Sequence, residues 1–185
     1  SEANAPKGWR DLLDPKFRGR IALADPTKSP HAYIVLLTMM DALGSDPAII
    51  GQMADQLNGR IIGSSAEQIK ALSDGAYAVT ATFEEPVLKC ITSDAHMKIV
   101  YPEEGTTVSS TGIAIIKNAP HTDNAKKFLD FAMSRQVHER LGTYEFRSTR
   151  ADVSAPSNLR PLSEIHYTRF DTQRAVSFRD EFLSK

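Results

Sequence analysis

Short runs rich in Ile, Val and Ala, each handed to an amphipathic helical segment through a turn rich in Ser and Thr, recur along the first two thirds of the chain. This alternation of the two hydrophobic periods is the signature of an α/β domain with a largely parallel sheet. Residues 20–24 (Arg-Ile-Ala-Leu-Ala) read as a buried strand. In the turn that follows, Asp25-Pro26-Thr27-Lys28-Ser29-Pro30, Ser29 is placed as a helix N-cap and Pro30 as the first helical residue, where a missing N–H costs nothing. The predicted helix buries Tyr33, Leu36, Leu37, Met40 and Leu43 and stops at Gly44. A second helix over 47–57 closes at Asn58-Gly59.

The unit then repeats. Residues 60–62 predict a strand, and Ser64 with Glu67 three residues on forms a capping box for a helix carrying Ile69 and Leu72. Residues 77–83 predict a third strand, Glu84-Glu85-Pro86 opens a helix to about residue 93, and 97–101 and 111–117 predict two more strands. Thr122 is expected to cap a helix with Ala125, Phe128, Leu129, Ala132 and Met133 on one face, and Ser134 to cap the next, which ends near Gly142. A last helix over 171–183 is expected to turn Ala175, Phe178 and Phe182 inward.

Composition narrows the function classes. With 41% hydrophobic and 24% charged residues in 185, the chain is neither a disordered tail nor a membrane span, and it is long enough to bury a sizeable core. The 22 basic and 23 acidic residues nearly cancel, so there is no basic footprint for nucleic acid or anionic membranes. Cys90 is the only cysteine, which excludes an intramolecular disulfide and a cysteine zinc site. His31, His96, His121, His138 and His166 are too far apart for a local metal-binding pair, and His31 and His138 are expected on solvated helix surfaces. The Met39-Met40 pair is expected in the core. Nucleophile-elbow, P-loop, dinucleotide and His-Glu-x-x-His patterns are missing, and adjacent Glu84 and Glu85 cannot readily flank one substrate bond. No catalytic residue, metal site or cofactor is assigned.

In an open α/β sheet, ligands bind beyond the carboxyl ends of the strands, where loops enter helices. Three such junctions are legible: Thr27-Lys28-Ser29, Ser64-Ser65, and Thr82-Phe83-Glu84-Glu85-Pro86. The first two offer hydroxyls and helix N-termini, which favour an anion. The third puts carboxylates at a helix start, where they either compensate the dipole or accept hydrogen bonds from a ligand. Together they suit a small molecule with an anionic head and a hydroxylated or cationic body.

The stretch from Gly8 to Pro26 (Gly-Trp-Arg-Asp-Leu-Leu-Asp-Pro-Lys-Phe-Arg-Gly-Arg-Ile-Ala-Leu-Ala-Asp-Pro) resembles the opening of the second lobe in type II periplasmic substrate-binding proteins of ABC importers, in the branch that handles ferric ion, phosphonates, thiamine and sugar phosphates. Matches continue in the family's order at residues 29–33, 73–79, 99–106, 112–117, 125–131 and 160–165. The resemblance implies a lobe with a mixed, mainly parallel sheet flanked by helices. Residues 1–109 would form the second lobe, and 110–185 a crossover strand with C-terminal helices of an incomplete first lobe. It implies a periplasmic or lipid-anchored receptor, with its signal segment outside this sequence, that delivers a small anionic solute to an ABC permease. Ser29, Ser64 and Ser65 are the expected anion contacts, Glu84 the acceptor, and Thr106 or Thr107 a contact near the hinge.

Two departures stand out. Ferric-binding members carry adjacent tyrosines where this chain has Phe83-Glu84, and phenylalanine cannot supply a hard phenolate to Fe(III). Family members are also close to twice as long. The C-terminal helices are therefore expected to lack the sheet they cover, so that the chain self-associates by exchanging its C-terminal segment or folds that segment back onto its own lobe. The alternatives are a ferric-ion or other metal receptor using Tyr144, and a flavodoxin-like enzyme or interaction domain.

Overall fold

A computed structural model describes residues 4–91 and 97–183. The chain is mixed α/β and divides into two compact units, Ser1–Val108 with Ile165–Lys185, and Ser109–Glu164.

The first unit is built on β1 (Ile21–Ala22), whose residues are at most 1% exposed. It pairs in parallel with β2 (Val79–Thr80), in the register Ile21 to Val79 and Ala22 to Thr80, and on through a parallel bridge from Ala24 to Ile62. Three chain segments read as strands in the sequence thus meet, but as shorter elements. Helix α1 (Pro30–Ala42) lays Val35, Leu36 and Met39 on this sheet, and α2 (Ala48–Leu57) adds Ile49, Met53 and Leu57. Met39 and Met40, each 1% exposed, are core as expected. Helix α2 ends where Asn58 turns left-handed (φ 52°), a conformation Asn tolerates better than most residues.

Helices α3 (Ser65–Ser73) and α4 (Glu84–Ile91) complete the α/β alternation; the predicted end of α4 near residue 93 lies outside the described residues, as does His96. One polar side chain ties α3 to the sheet. Gln68, 2% exposed, donates from Nε2 to the carbonyls of Ala22 (3.2 Å) and Ala81 (2.9 Å) and to Thr80 Oγ1 (2.6 Å), while its Oε1 accepts from the N–H of Ala24 (3.2 Å). It supplies hydrogen bonds that strands of two residues cannot give one another.

The unit also contains a pairing absent from the sequence reading. Strand β3 (Thr106–Val108) runs parallel to β4 (Tyr167–Arg169). Both are short and polar, and their partners are some sixty residues apart in the chain, so neither carries a local strand signal. After β4, helix α7 (Thr172–Leu183) folds back onto α1: the Tyr33 hydroxyl donates to the Ala175 carbonyl (2.7 Å), Arg174 pairs with Asp41 (2.6 Å), and Phe178 and Phe182 pack on the cluster of Tyr33, Leu37 and Met40. The inward face of Ala175, Phe178 and Phe182 is as expected.

Glu104 closes the unit on its other side. Its carboxylate accepts from the N–H groups of Trp9 and Arg10 at 2.9 Å each, and Trp9 Nε1 donates to the Gly105 carbonyl at 2.7 Å. A Cβ at Gly8 would overlap this carboxylate, which explains the glycine. Burial works to raise the Glu104 carboxyl, but the N–H groups of Arg10, Glu104 itself and Trp9 outweigh it and hold the group below the ordinary carboxylate range. The stabilisation from the clamp is therefore present above the unfolded-state value and lost as pH falls through the depressed folded one. Glu104→Gln should flatten the loss of urea stability between neutral and acid pH, and Gly8→Ala should cost about 1–3 kcal/mol at neutral pH by overpacking. A Gly8→Ala midpoint equal to wild type would refute the close approach.

In the second unit, α5 (Thr122–Ala132) and α6 (Arg135–Gly142) pack together. Ser134 caps α6 as expected, accepting from the Val137 N–H (3.4 Å). Thr122 does not cap α5. It is the first helical residue, and its hydroxyl donates back to the Ala119 carbonyl (2.8 Å). His138 corrects the surface assignment: it is 7% exposed, with Nδ1 2.8 Å from Ser148 Oγ. Residues 97–101 and 111–117 form no strand. Their β-branched residues need a partner edge to become a strand, and Ile113 and Ile116 remain 46% and 80% exposed without one. The apolar face of α5 is exposed as well, Phe128 at 60% and Phe131 at 58%.

Candidate functional site

The site is assembled from helix starts. Ser29 is extended (φ −109°, ψ 108°), its hydroxyl accepts from the Ala32 N–H at 3.3 Å, and Pro30 follows as the first helical residue. Ser64 has the same role at α3, accepting from the Glu67 N–H at 3.3 Å, with Ser65 next in the helix. The Ser29 and Ser65 hydroxyls then meet at 3.0 Å, although 36 residues separate them in the chain, and Ser29 is only 8% exposed. Two positive helix ends thus share one corner. By helix geometry the first-turn N–H groups of His31, Ser65 and Ala66 have no intrahelical acceptor.

The loop before α1 is rigidly held. The Asp25 carboxylate accepts from the Thr27 N–H (2.9 Å) and hydroxyl (2.6 Å) and pairs with Lys28 (3.0 Å). The Thr27 hydroxyl, then Lys28, keep the Asp25 carboxyl below its ordinary range, against the smaller opposing effect of burial. The Asp25 N–H donates to Ile62 (2.8 Å), which ties the loop to the strand end that leads into Ser64.

The third junction lies beside the first. The His31 ring stands edge-on to Phe83, with centroids 4.4 Å apart and planes at 89°. Glu84, the next residue, opens α4, and its carboxylate accepts from the Tyr101 hydroxyl. Glu85 instead pairs with Lys89 along the helix and has the surface role that dipole compensation predicts. Thr106 and Thr107 stand on β3, beside α1, without a hydrogen bond to the serines; Thr106 is anchored through its N–H to the His166 carbonyl (2.9 Å). The structure therefore brings Ser29, Ser64 and Ser65 into one corner, borders it with Phe83 and Glu84, and leaves the two threonines on a separate strand.

Sequence reading missed His31 and Tyr101. His31 carried one usable signal, its place two residues after a cap on the first turn of a helix at a strand's carboxyl end. Tyr101 carried none, because its tie to Glu84 spans 17 residues and follows no helical or strand spacing. Among the described residues no cluster of three or more His, Cys, Asp or Glu side chains is placed to hold a metal ion, and no helix is long and apolar enough to cross a membrane. Tyr144, in the second unit, is 52% exposed, with the Arg140 guanidinium 5.9 Å from its ring centre.

An α/β unit that gathers helix starts beyond the carboxyl ends of parallel strands has the build of a lobe that receives small ligands. Residues 1–172 match the model of the bacterial extracellular solute-binding protein family, and the chain belongs to that family. It is 24% identical over 159 residues to a putative 2-aminoethylphosphonate-binding periplasmic protein of Salmonella typhi, covering 81% of this chain and 47% of that one. It is 25% identical over 154 residues to iron uptake protein A1 of Synechocystis, covering 75% of this chain and 42% of that one. Among solved structures, the periplasmic binding protein AfuA of Actinobacillus pleuropneumoniae, with exogenous fructose-6-phosphate bound, superposes with a TM-score of 0.81 at 26% identity, over 92% of this chain and 55% of AfuA. The chain thus spans about half the length of these relatives.

Proposed function

We propose that the chain is part of an extracytoplasmic solute-binding component of an ABC importer. In this reading it captures a small phosphorylated or phosphonate organic anion and hands it to a membrane permease without chemical change. The first unit acts as the second lobe of a two-lobed clamp, and the second unit belongs to the other lobe. Ser29, Ser64 and Ser65 hold the phosphorus oxyanion with hydroxyls and first-turn N–H groups. Glu84, steadied by Tyr101, accepts from a hydroxyl or ammonium on the ligand's body. Thr106 and Thr107 act near the hinge. The observation that carries this reading is the 3.0 Å meeting of Ser29 and Ser65, which puts two helix N-termini on one point. The phosphonate and sugar-phosphate relatives support the ligand class.

The reading is tested by titrating the 185-residue chain with fructose-6-phosphate and 2-aminoethylphosphonate and following its amide NMR signals. The amides of His31, Ser65 and Ala66 should move first, and fructose or ethanolamine, which lack the oxyanion, should leave them in place. Unmoved amides at millimolar ligand would sink the proposal. The iron-uptake relative makes Fe(III) the informative competitor. A visible absorbance band on adding it, with no response to either organophosphorus compound, would favour the metal receptor instead.

A further inference from the structure

A second concavity lies in the first unit, where α7 crosses the start of α1. It has a volume of about 230 Å³. Its walls are apolar: Pro26 and Pro30 on one side, Ile34 on α1, and Phe170 and Val176 on the tail. Val176 is 65% exposed there, although the remainder of the apolar face of α7 is turned onto α1. The polar groups nearby are mostly satisfied within the protein. The Tyr33 hydroxyl is bonded to Ala175, and the Thr27 hydroxyl and Lys28 are both engaged by Asp25. Two lining groups lack such a partner: the Thr172 hydroxyl and the Arg179 guanidinium make no hydrogen bond or ion pair to any described residue.

An apolar trough with one guanidinium outside any ion pair at its edge fits a particular chemistry: a flat or branched apolar body to displace water from the walls, and an anionic group for the fork of donors. We infer that this cleft is a second small-molecule site, selective for a compact amphipathic organic anion such as an aryl or branched-alkyl carboxylate. It is separate from the Ser29–Ser65 corner, since Ser29 turns its hydroxyl toward α3 while Lys28 and Pro30 line the cleft. The inference does not depend on the ligand proposed for that corner. A ligand here would bridge α7 to the first turn of α1 and so tighten the tail against the lobe.

Benzoate and its neutral isostere benzamide are the probes, with binding followed through the methyl NMR signals of Ile34 and Val176 in the full 185-residue chain. Benzoate should shift these methyls and bind about tenfold more tightly than benzamide, the scale of one charge-assisted pair. Arg179→Gln should remove that difference, and Val176→Trp should block both probes by filling the trough. Arg179 is exposed, so unchanged signals from the other methyls will show that its variant remains folded. Saturating fructose-6-phosphate should not displace benzoate. Equal affinity of the two probes, shifts confined to other methyls, or displacement by fructose-6-phosphate would each overturn the assignment.

Discussion

Replacing Gln68 by leucine is expected to destabilise the chain by about 3–5 kcal/mol, a large part of the roughly 5–15 kcal/mol that a domain of this kind possesses. The residue is buried, and its amide contacts three acceptors and one donor across Ala22, Ala24, Thr80 and Ala81. Leucine would fill most of the volume and satisfy none of them. Each backbone group left unpaired away from water costs about 1–3 kcal/mol, and the extra apolar contact recovers only part of that sum. The Thr80 hydroxyl already donates to the Ala22 carbonyl at 2.9 Å, so that acceptor stays satisfied and the loss falls on the Ala24 N–H and the Ala81 carbonyl. Urea unfolding measures the effect as a drop in midpoint at unchanged slope. Gln68→Glu at neutral pH should be worse still, because it places a charge where donors were. A midpoint within error of wild type for Gln68→Leu would mean that the two-residue strands hold together without this bridge.

The second large effect concerns binding. Ser65→Asp is expected to weaken fructose-6-phosphate and 2-aminoethylphosphonate about a hundredfold or more while leaving the fold intact. An acidic residue is favourable in the first turn of a helix, so α3 should keep its stability within about 1 kcal/mol. The new carboxylate would nevertheless stand where the Ser65 hydroxyl meets Ser29, in the corner proposed for the oxyanion. Two unit charges about 4 Å apart repel by about 4 kcal/mol at the effective dielectric of a partly exposed site, which is well over a hundredfold in affinity. Ser65→Ala removes a hydroxyl without adding charge and should cost about tenfold. Isothermal titration calorimetry beside a thermal melt separates the two properties. If Ser65→Asp binds either compound as well as wild type, the anion corner is elsewhere. If it melts far below wild type, the first-turn dipole argument fails.

The candidate site was legible in pieces. Each cap announces itself locally, because Ser29 and Ser64 precede Pro30 and Glu67 at the spacing helix starts require, and their hydroxyls bond the predicted N–H groups. Their meeting was expected only from the general rule for parallel sheets, and the contact distance had to come from the fold. Thr106 and Thr107, expected only as contacts near the hinge, stand on a strand whose partner, Tyr167–Arg169, lies some sixty residues on in the chain. His138 is expected on a solvated helix surface, yet it is buried and hydrogen-bonded to Ser148 ten residues later. The predicted strands at 97–101 and 111–117 had β-branched residues suited to a sheet edge but form no strand. The sequence reading divides the chain once, near residue 109, whereas the structure returns residues from Ile165 onward to the first unit.

Sequence by itself determined the α/β alternation, the helix starts and the burial of Met39 and Met40, because those properties depend on neighbours within a turn or two. The motif order it contains was enough for the family. Tertiary structure alone decided that Gln68 would span two strands, that Ser29 would touch Ser65, and that Tyr33 would hold Ala175 from 142 residues away. The physical reason is range. Caps and hydrophobic periods are energetic preferences of a short segment, whereas each of these contacts exists only after the whole unit has closed around it, at an entropic cost that only the completed core can offset.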